Sequence, residues 1–254
     1  MIEILHGLEA ALSLLLSGDP ELRQIIGTSL RVSGLALVIS SLLGVPAGAA
    51  LGFAGFPGRR VIVALLYTGM GTPPVVIGLL VYLAFSRSGP FGELRWLFTP
   101  AAMTVAQTLI AFPYVASLTM TAIQSVDHSL RLQLRALGAT ARQEATTILL
   151  EARAGVAMGI ITAFGRIISE VGAVMLVGGN IAHKTRVLTT AIVLHTRQGE
   201  FGLAIALGII LLVIAFVINL VLLMLQGRER AAAPSSMAAL WGSSGARGDR
   251  SEAS

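Results

Sequence analysis

The sequence predicts an all-α integral membrane fold: five transmembrane helices, an N-terminal interfacial helix ahead of them, and a helix-turn-helix between spans three and four. Two observations carry that prediction. Hydrophobic residues make up 55% of the 254 residues and charged residues only 12%, with a mean hydropathy of +0.82, whereas soluble domains carry about 25% charge. The few charges are also spaced so that long uncharged windows lie between them. A helix in hydrocarbon needs such windows, because it must satisfy every backbone N–H and C=O internally over about 20 residues.

Four windows read directly as spans. Residues 32–58 lie between Arg31 and Arg59, 61–86 between Arg60 and Arg87, 96–126 between Arg95 and Asp127, and 201–227 between Glu200 and Arg228. A fifth, 154–178, is equally apolar but contains Arg166 and Glu170, and ionisable residues at membrane depth mark functional or tightly packed positions.

The stretch Ile2–Leu16 carries Glu3, His6 and Glu9 among its leucines and is short for a crossing, so it reads as an interfacial helix. It shows no basic n-region or small-residue cleavage site. Asp19 and Pro20 then form a helix start, with Asp19 as N-cap and Pro20 at the first helical position. From Ala231 the chain is small, polar and rich in Gly and Ser, a composition that buries too little surface to fold. The expected organisation is an interfacial segment (1–24), a transmembrane domain (25–228) and a disordered tail (229–254).

The net charge of +5 and pI near 10.7 do not form a nucleic-acid footprint, because the basic residues are scattered between apolar runs and gather on no one face. They record orientation instead. With the N-terminus outside, the inner loops hold Arg59, Arg60, Arg131, Arg135, Arg142, Arg153, Arg228 and Arg230, and the tail adds Arg247 and Arg250. The outer segments hold Arg23, Arg87, Arg95, Lys184, Arg186 and Arg197. The bias is slight and favours N-outside, C-inside. The chain has no cysteine, which excludes a disulfide framework, a thiolate zinc site and a cysteine nucleophile.

Within the spans, Gly44, Gly48 and Gly52 recur every four residues, and Gly155 and Gly159 recur once. Such faces let helix backbones approach closely, although glycine is also simply common in membrane helices. Gly71-Thr72-Pro73-Pro74 lies within the second window and Pro113 within the third. Each proline removes a helical hydrogen bond, so these helices are expected to kink or break.

Between spans three and four, Asp127 is placed to cap a short helix, Leu130, Leu134 and Leu137 fall at helical spacing, and Gly138 is placed to end it. A second helix from about Ala141 leads back toward the membrane. An amphipathic helix-turn-helix here suits docking into a groove on a soluble partner, or equally a surface-lying connector.

This loop resembles the "EAA" loop of ABC importer permeases, whose pattern is EAA, three residues, Gly, nine residues, Ile, one residue, Leu-Pro. Gly138, Ile148 and Leu150 match its glycine, isoleucine and leucine. Leu132-Gln133-Leu134 stands where Glu-Ala-Ala would be, and Glu151 replaces the proline, so the family glutamate's contact with the ATPase does not carry over. Ala136-Leu137-Gly138-Ala139-Thr140, and the run from Gly165-Arg166 through Glu170-Val171-Gly172 to Gly179-Asn180, are similar to the oxyanion branch of molybdate and tungstate permeases. Val75-Val76-Ile77-Gly78-Leu79-Leu80-Val81-Tyr82-Leu83, Ser86-Arg87-Ser88-Gly89-Pro90 and Leu188-Thr189-Thr190-Ala191-Ile192 resemble the tungstate type in particular.

The resemblance implies a type I permease subunit in the cell membrane that carries an oxyanion, tungstate or molybdate, and neither binds nor hydrolyses ATP. It implies a second copy of the chain, two cytoplasmic ATP-binding subunits and an external substrate-binding protein as partners. The coupling loop would comprise Asp127, Leu130, Leu134, Arg135, Ala136, Leu137, Gly138, Ala139, Ile148 and Leu150. Arg166, Glu170 and Asn180 are the candidates for the path or gate, and no cofactor or metal is expected.

Three other patterns compete. Gly178-Gly179-Asn180-Ile181-Ala182-His183-Lys184-Thr185 nearly spells a P-loop, but His183 stands where the second glycine belongs, and a Cβ there obstructs the backbone wrap around phosphates. His6, His128, His183 and His195 show no zinc-motif spacing. A channel or secondary transporter working without an ATPase would carry acidic residues in several spans, and only Glu170 qualifies. Arg166 and Glu170, four apart, are expected to pair on one face of a helix. That pair reads either as a packing device or as part of the anion's route.

Overall fold

The computed structural model describes Ser13 and residues 19–231, with side chains to Met224. The described part is all helical. The interfacial helix expected over Ile2–Leu16, apart from Ser13, and the tail beyond Ala231 lie outside the described residues. Helix α1 (Pro20–Phe53) starts where Asp19 and Pro20 predict: the Asp19 carboxylate accepts the Glu21 N–H at 2.9 Å. The helix thus takes in the last residues of the 1–24 segment. Its 34 residues span roughly 51 Å at 1.5 Å per residue, well beyond a hydrocarbon core of about 30 Å.

Helix α4 (Pro100–Gln124) is the central element, packed by α1 and by α2 (Arg59–Gly71), α3 (Pro74–Phe85), α7 (Arg153–Ile168) and α8 (Gly172–Gly178). Its apolar window is 61% buried against 28% for that of α1. Met103, Ala106, Ile110 and Val115 anchor the main core with Val32 and Ala36 of α1 and Ile167 and Val174. The small-residue faces explain the close approach. A Cβ on Gly44 would lie 2.9 Å from Val115 Cβ, one on Gly52 2.9 Å from Ile123 Cγ2, and one on Gly48 would overlap the Ala116 carbonyl oxygen. Gly155 and Gly159 do the same for α7, against Ala122 and Leu118 of α4.

The second window breaks where its prolines predict, into two helices, α2 and α3, bent by 101° at Thr72-Pro73, because two prolines in a row remove the donors that would continue α2. The window 154–178, expected as one span, is corrected: it is not one helix, since α7 ends at Ile168 and α8 begins at Gly172. α7 is instead preceded across a 59° bend at Ala152 by α6 (Ala141–Glu151). Pro113, by contrast, leaves α4 continuous. Gly69 makes room for its ring, since a Cβ there would sit 3.1 Å from Pro113 Cβ, and the Tyr114 hydroxyl donates to the Met70 carbonyl at 2.9 Å beside the α2–α3 break.

The segment after Asn180, expected only as an outer stretch, contains α9 (Leu188–Gln198). With α10 (Phe201–Ala231), its Leu188 and Ala191 bury Leu22 and Ile25 near the start of α1. Among the described residues, three helices are long and apolar enough to cross a membrane, or up to five if each bent pair is one span.

Candidate functional site

The 127–151 segment folds as a helical hairpin, α5 (His128–Ala136) and α6. Asp127 caps α5, accepting the Ser129 N–H at 2.9 Å, and that bond, first among its causes, holds the Asp127 carboxyl below the usual range. Gly138 makes the turn at φ +78°, a left-handed conformation that costs any residue with a Cβ. Thr140 and Gln143 then form a reciprocal capping box, with the Thr140 N–H donating to Gln143 Oε1 at 2.8 Å.

A two-pronged ion pair braces the hairpin. Arg135 Nε and Nη2 donate to Glu144 Oε2 and Oε1, each at 3.0 Å. These bonds hold the Glu144 carboxyl below its ordinary value and push Arg135 above its own. Arg135 was a candidate by resemblance, but Glu144 was not. The two are nine apart across a turn, a spacing that no single-helix rule reaches.

The leucines divide. Leu134 packs with Ile123, Ile148 and Ala152, and Ile148 is fully buried. Leu130 is half-buried. Leu137, at the same helical spacing, faces outward with 84% exposure, because α5 has ended at Ala136 and the chain is already turning. Leu150 is also exposed, at 64%. Ala136 is exposed and Ala139 half-buried, the latter donating its N–H to the Leu134 carbonyl at 3.0 Å.

The second candidate region is the α7–α8 break. Arg166 Nη1 and Glu170 Oε2 pair at 3.3 Å, although not on one helix, since Ser169 caps α7 and Glu170 lies in the break. Glu170 is 5% exposed and has other work: its Oε1 accepts the Ala173 N–H at 3.0 Å at the start of α8, and its carbonyl accepts from Thr189 Oγ1 at 2.9 Å. The Arg166 side chain keeps 32% exposure. Asn180 stands at the far end of α8, about 10 Å farther along seven residues of helix, and is not part of the pair. Its backbone is left-handed at φ +51° and its Oδ1 is buried without a partner. Gln107, one polar residue in an apolar window and not among the sequence candidates, is 4% exposed and donates Nε2 to the Ile167 carbonyl at 3.0 Å.

The near-P-loop run is closed by its own contacts. Thr185 Oγ1 donates to the Gly178 carbonyl at 2.6 Å and accepts the Ile181 N–H at 2.9 Å, and no helix begins there until Leu188.

Residues 44–231 match the family described as binding-protein-dependent transport system inner membrane component. The chain belongs to that family. It is 44% identical over 200 residues to a probable anion ABC transporter permease of Haloferax volcanii, covering 77% of this chain and 86% of the relative. It is 40% identical over 223 residues to the tungstate uptake system permease TupB of Peptoclostridium acidaminophilum, covering 88% and 98%. The molybdenum transport permease ModB of Escherichia coli K12 is 30% identical, covering 78% and 93%. Among solved structures, a bacterial ABC transporter that imports alginate matches with a TM-score of 0.69 at 22% identity, over 85% of this chain and 82% of that one. The permease therefore has an importer fold and relatives in anion transport. The matched stretch includes both the 127–151 hairpin and the α7–α8 break.

Proposed function

We propose that this permease, paired with a second copy, forms the membrane path of an ABC importer for a tetrahedral oxyanion, tungstate first and molybdate next. Two cytoplasmic ATP-binding subunits would drive it and an external binding protein would load it. The observation that carries the reading is Leu137. It is held 84% exposed at the turn of a hairpin that Asp127, Arg135, Glu144 and the Thr140 capping box brace from within. A rigid, polar hairpin that presents exposed leucines is built to seat them in a partner's groove.

On this reading the hairpin is the cytoplasmic coupling element, each bent helix pair is one span of a five-span unit, and the chain runs N-outside, C-inside. Closure of the ATPase pair would move the hairpins and open the path outward; hydrolysis would reset it. Arg166 and Asn180 are the residues proposed to meet the anion. The arginine offers a planar set of donors suited to an oxyanion, and Glu170 holds it in place. The tungstate preference is supported by the relatives and by the three tungstate-like segments.

The test is uptake into proteoliposomes holding the permease, its ATPase subunits and the binding protein. ATP-dependent uptake of tungstate, competed by molybdate more strongly than by sulfate, is expected. Anion flux in vesicles that lack the ATPase subunits would overturn the importer reading.

A further inference from the structure

We infer that Arg131 is the residue through which movement of the α5–α6 hairpin reaches the membrane helices. The inference rests on the docking role proposed above and deepens it.

The hairpin meets the bundle through an apolar cluster, in which its Leu134 and buried Ile148 pack with Ile123 and Phe53, and through a polar bridge. At its start, Ser125–Asp127 are outside any helix, and at its end the chain reaches α7 only across the 59° bend at Ala152. Between these points Arg131 bridges sideways. Its Nη2 donates to the Ile123 carbonyl at 2.7 Å, and its guanidinium lies 5.6 Å from the centroid of the Phe53 ring. Phe53 is the last residue of α1, and Ile123 is the last but one of α4.

Each partner suits a guanidinium for a physical reason. A carbonyl in the last turn of a helix has no donor within that helix and sits at the negative end of its dipole. A ring face attracts a planar cation. α1 and α4 are themselves locked together at this level, where Gly52 leaves no room for a Cβ beside Ile123. One side chain therefore holds α5 to two spans that are closely packed against each other at this level. Leu134, one turn along, adds an apolar contact to the same Ile123 cluster.

Displacement of the hairpin by a partner is then passed to α1 and α4 through Arg131. Without that bridge only the non-directional apolar contacts of Leu134 and Ile148 tie the hairpin to α1 and α4, and less movement of the path is obtained for each ATP spent. Lysine retains a donor for the carbonyl but loses the plane that stacks on Phe53, so it should act as a partial link.

The experiment uses the complete importer in proteoliposomes, with tungstate as the probe, and compares Arg131→Ala, Arg131→Lys and Leu137→Asp. Arg131→Ala should co-purify the ATPase subunits in the normal ratio and keep ATP turnover. Tungstate moved per ATP should fall about tenfold, the scale of one lost charge-assisted hydrogen bond, with Arg131→Lys in between. Leu137→Asp should lose the ATPase subunits altogether. An unchanged tungstate-to-ATP ratio in Arg131→Ala overturns the inference. So does loss of the ATPase subunits from both Arg131 variants, which would make Arg131 a docking or folding residue. Retention of those subunits by Leu137→Asp overturns the docking reading, and the inference with it.

Discussion

Arg135 grips Glu144 with both Nε and Nη2 at 3.0 Å, tying the two helices of the hairpin across the Gly138 turn. The pair fixes the angle at which Leu137 is presented. Because the bonds from Arg135 hold the Glu144 carboxyl below its ordinary value, the stabilisation is complete above that ordinary value and disappears as pH falls through the lower folded one. Protection of the α6 amides, taken relative to their intrinsic exchange rates, should therefore stay constant from neutral pH down to about 5 and fall as the pH is lowered through the folded-state value. Glu144→Gln should show the reduced protection already at neutral pH. A wild-type exchange profile in that variant would remove the brace from the account.

Gly138→Val should insert into the membrane normally and lose transport. At φ +78° a β-branched residue is strained by roughly 1–2 kcal/mol, and the turn relaxes by re-angling α5 against α6. There is open space around the position, so the effect is conformational and not a clash. Uptake in proteoliposomes together with ATPase co-purification checks it; normal values for both would show that the turn geometry does not matter.

Single cysteines at Ser88 and Ser129, both exposed, give a direct topology test in a chain with no cysteine of its own. An impermeant thiol reagent should reach Ser88→Cys from outside and Ser129→Cys only from the cytoplasmic side. Labelling of both from one side would mean that α4, the helix between them, does not cross, and would sink the five-span model.

Arg166→Leu and Glu170→Leu should each impair the protein, since a lone charge at membrane depth is costly, about 2.5 to 3.5 kcal/mol at the bilayer centre, and the Glu170 carboxylate also accepts an N–H at the start of α8. The double variant separates two roles. If the pair only packs, apolar replacement should restore assembly and much of the uptake. If Arg166 meets the anion, the double variant should assemble and still fail to transport. Additive effects in a double-mutant cycle would show that the 3.3 Å contact carries no coupling.

Local chemistry made much of this legible. The α1 start at Asp19-Pro20, the break at Pro73-Pro74, the hairpin with its Gly138 turn and the glycine faces of α1 and α7 each rest on one residue's own backbone or volume. Pro113 was legible only in part. Its missing N–H was visible, but the neighbouring Gly69 that accommodates its ring lies far away in the chain. The bridges from Arg135 to Glu144 and from Arg131 to Ile123 and Phe53 were hidden for the same reason, as was the bond that Glu170 accepts at the start of α8.

By itself, the sequence determined that this chain belongs in a membrane and where some of its helices start and turn, at Asp19-Pro20, Pro73-Pro74 and Gly138, because hydropathy and backbone freedom are properties of short segments. Tertiary structure decided what the charges hold. It put Glu170 in a break and not on a helix face, and it divided the hairpin leucines between Leu134 inside and Leu137 outside. It also made α4 the helix on which the others pack. Those outcomes depend on which side chains meet across distant parts of the chain, and packing of separate helices, not local propensity, sets them.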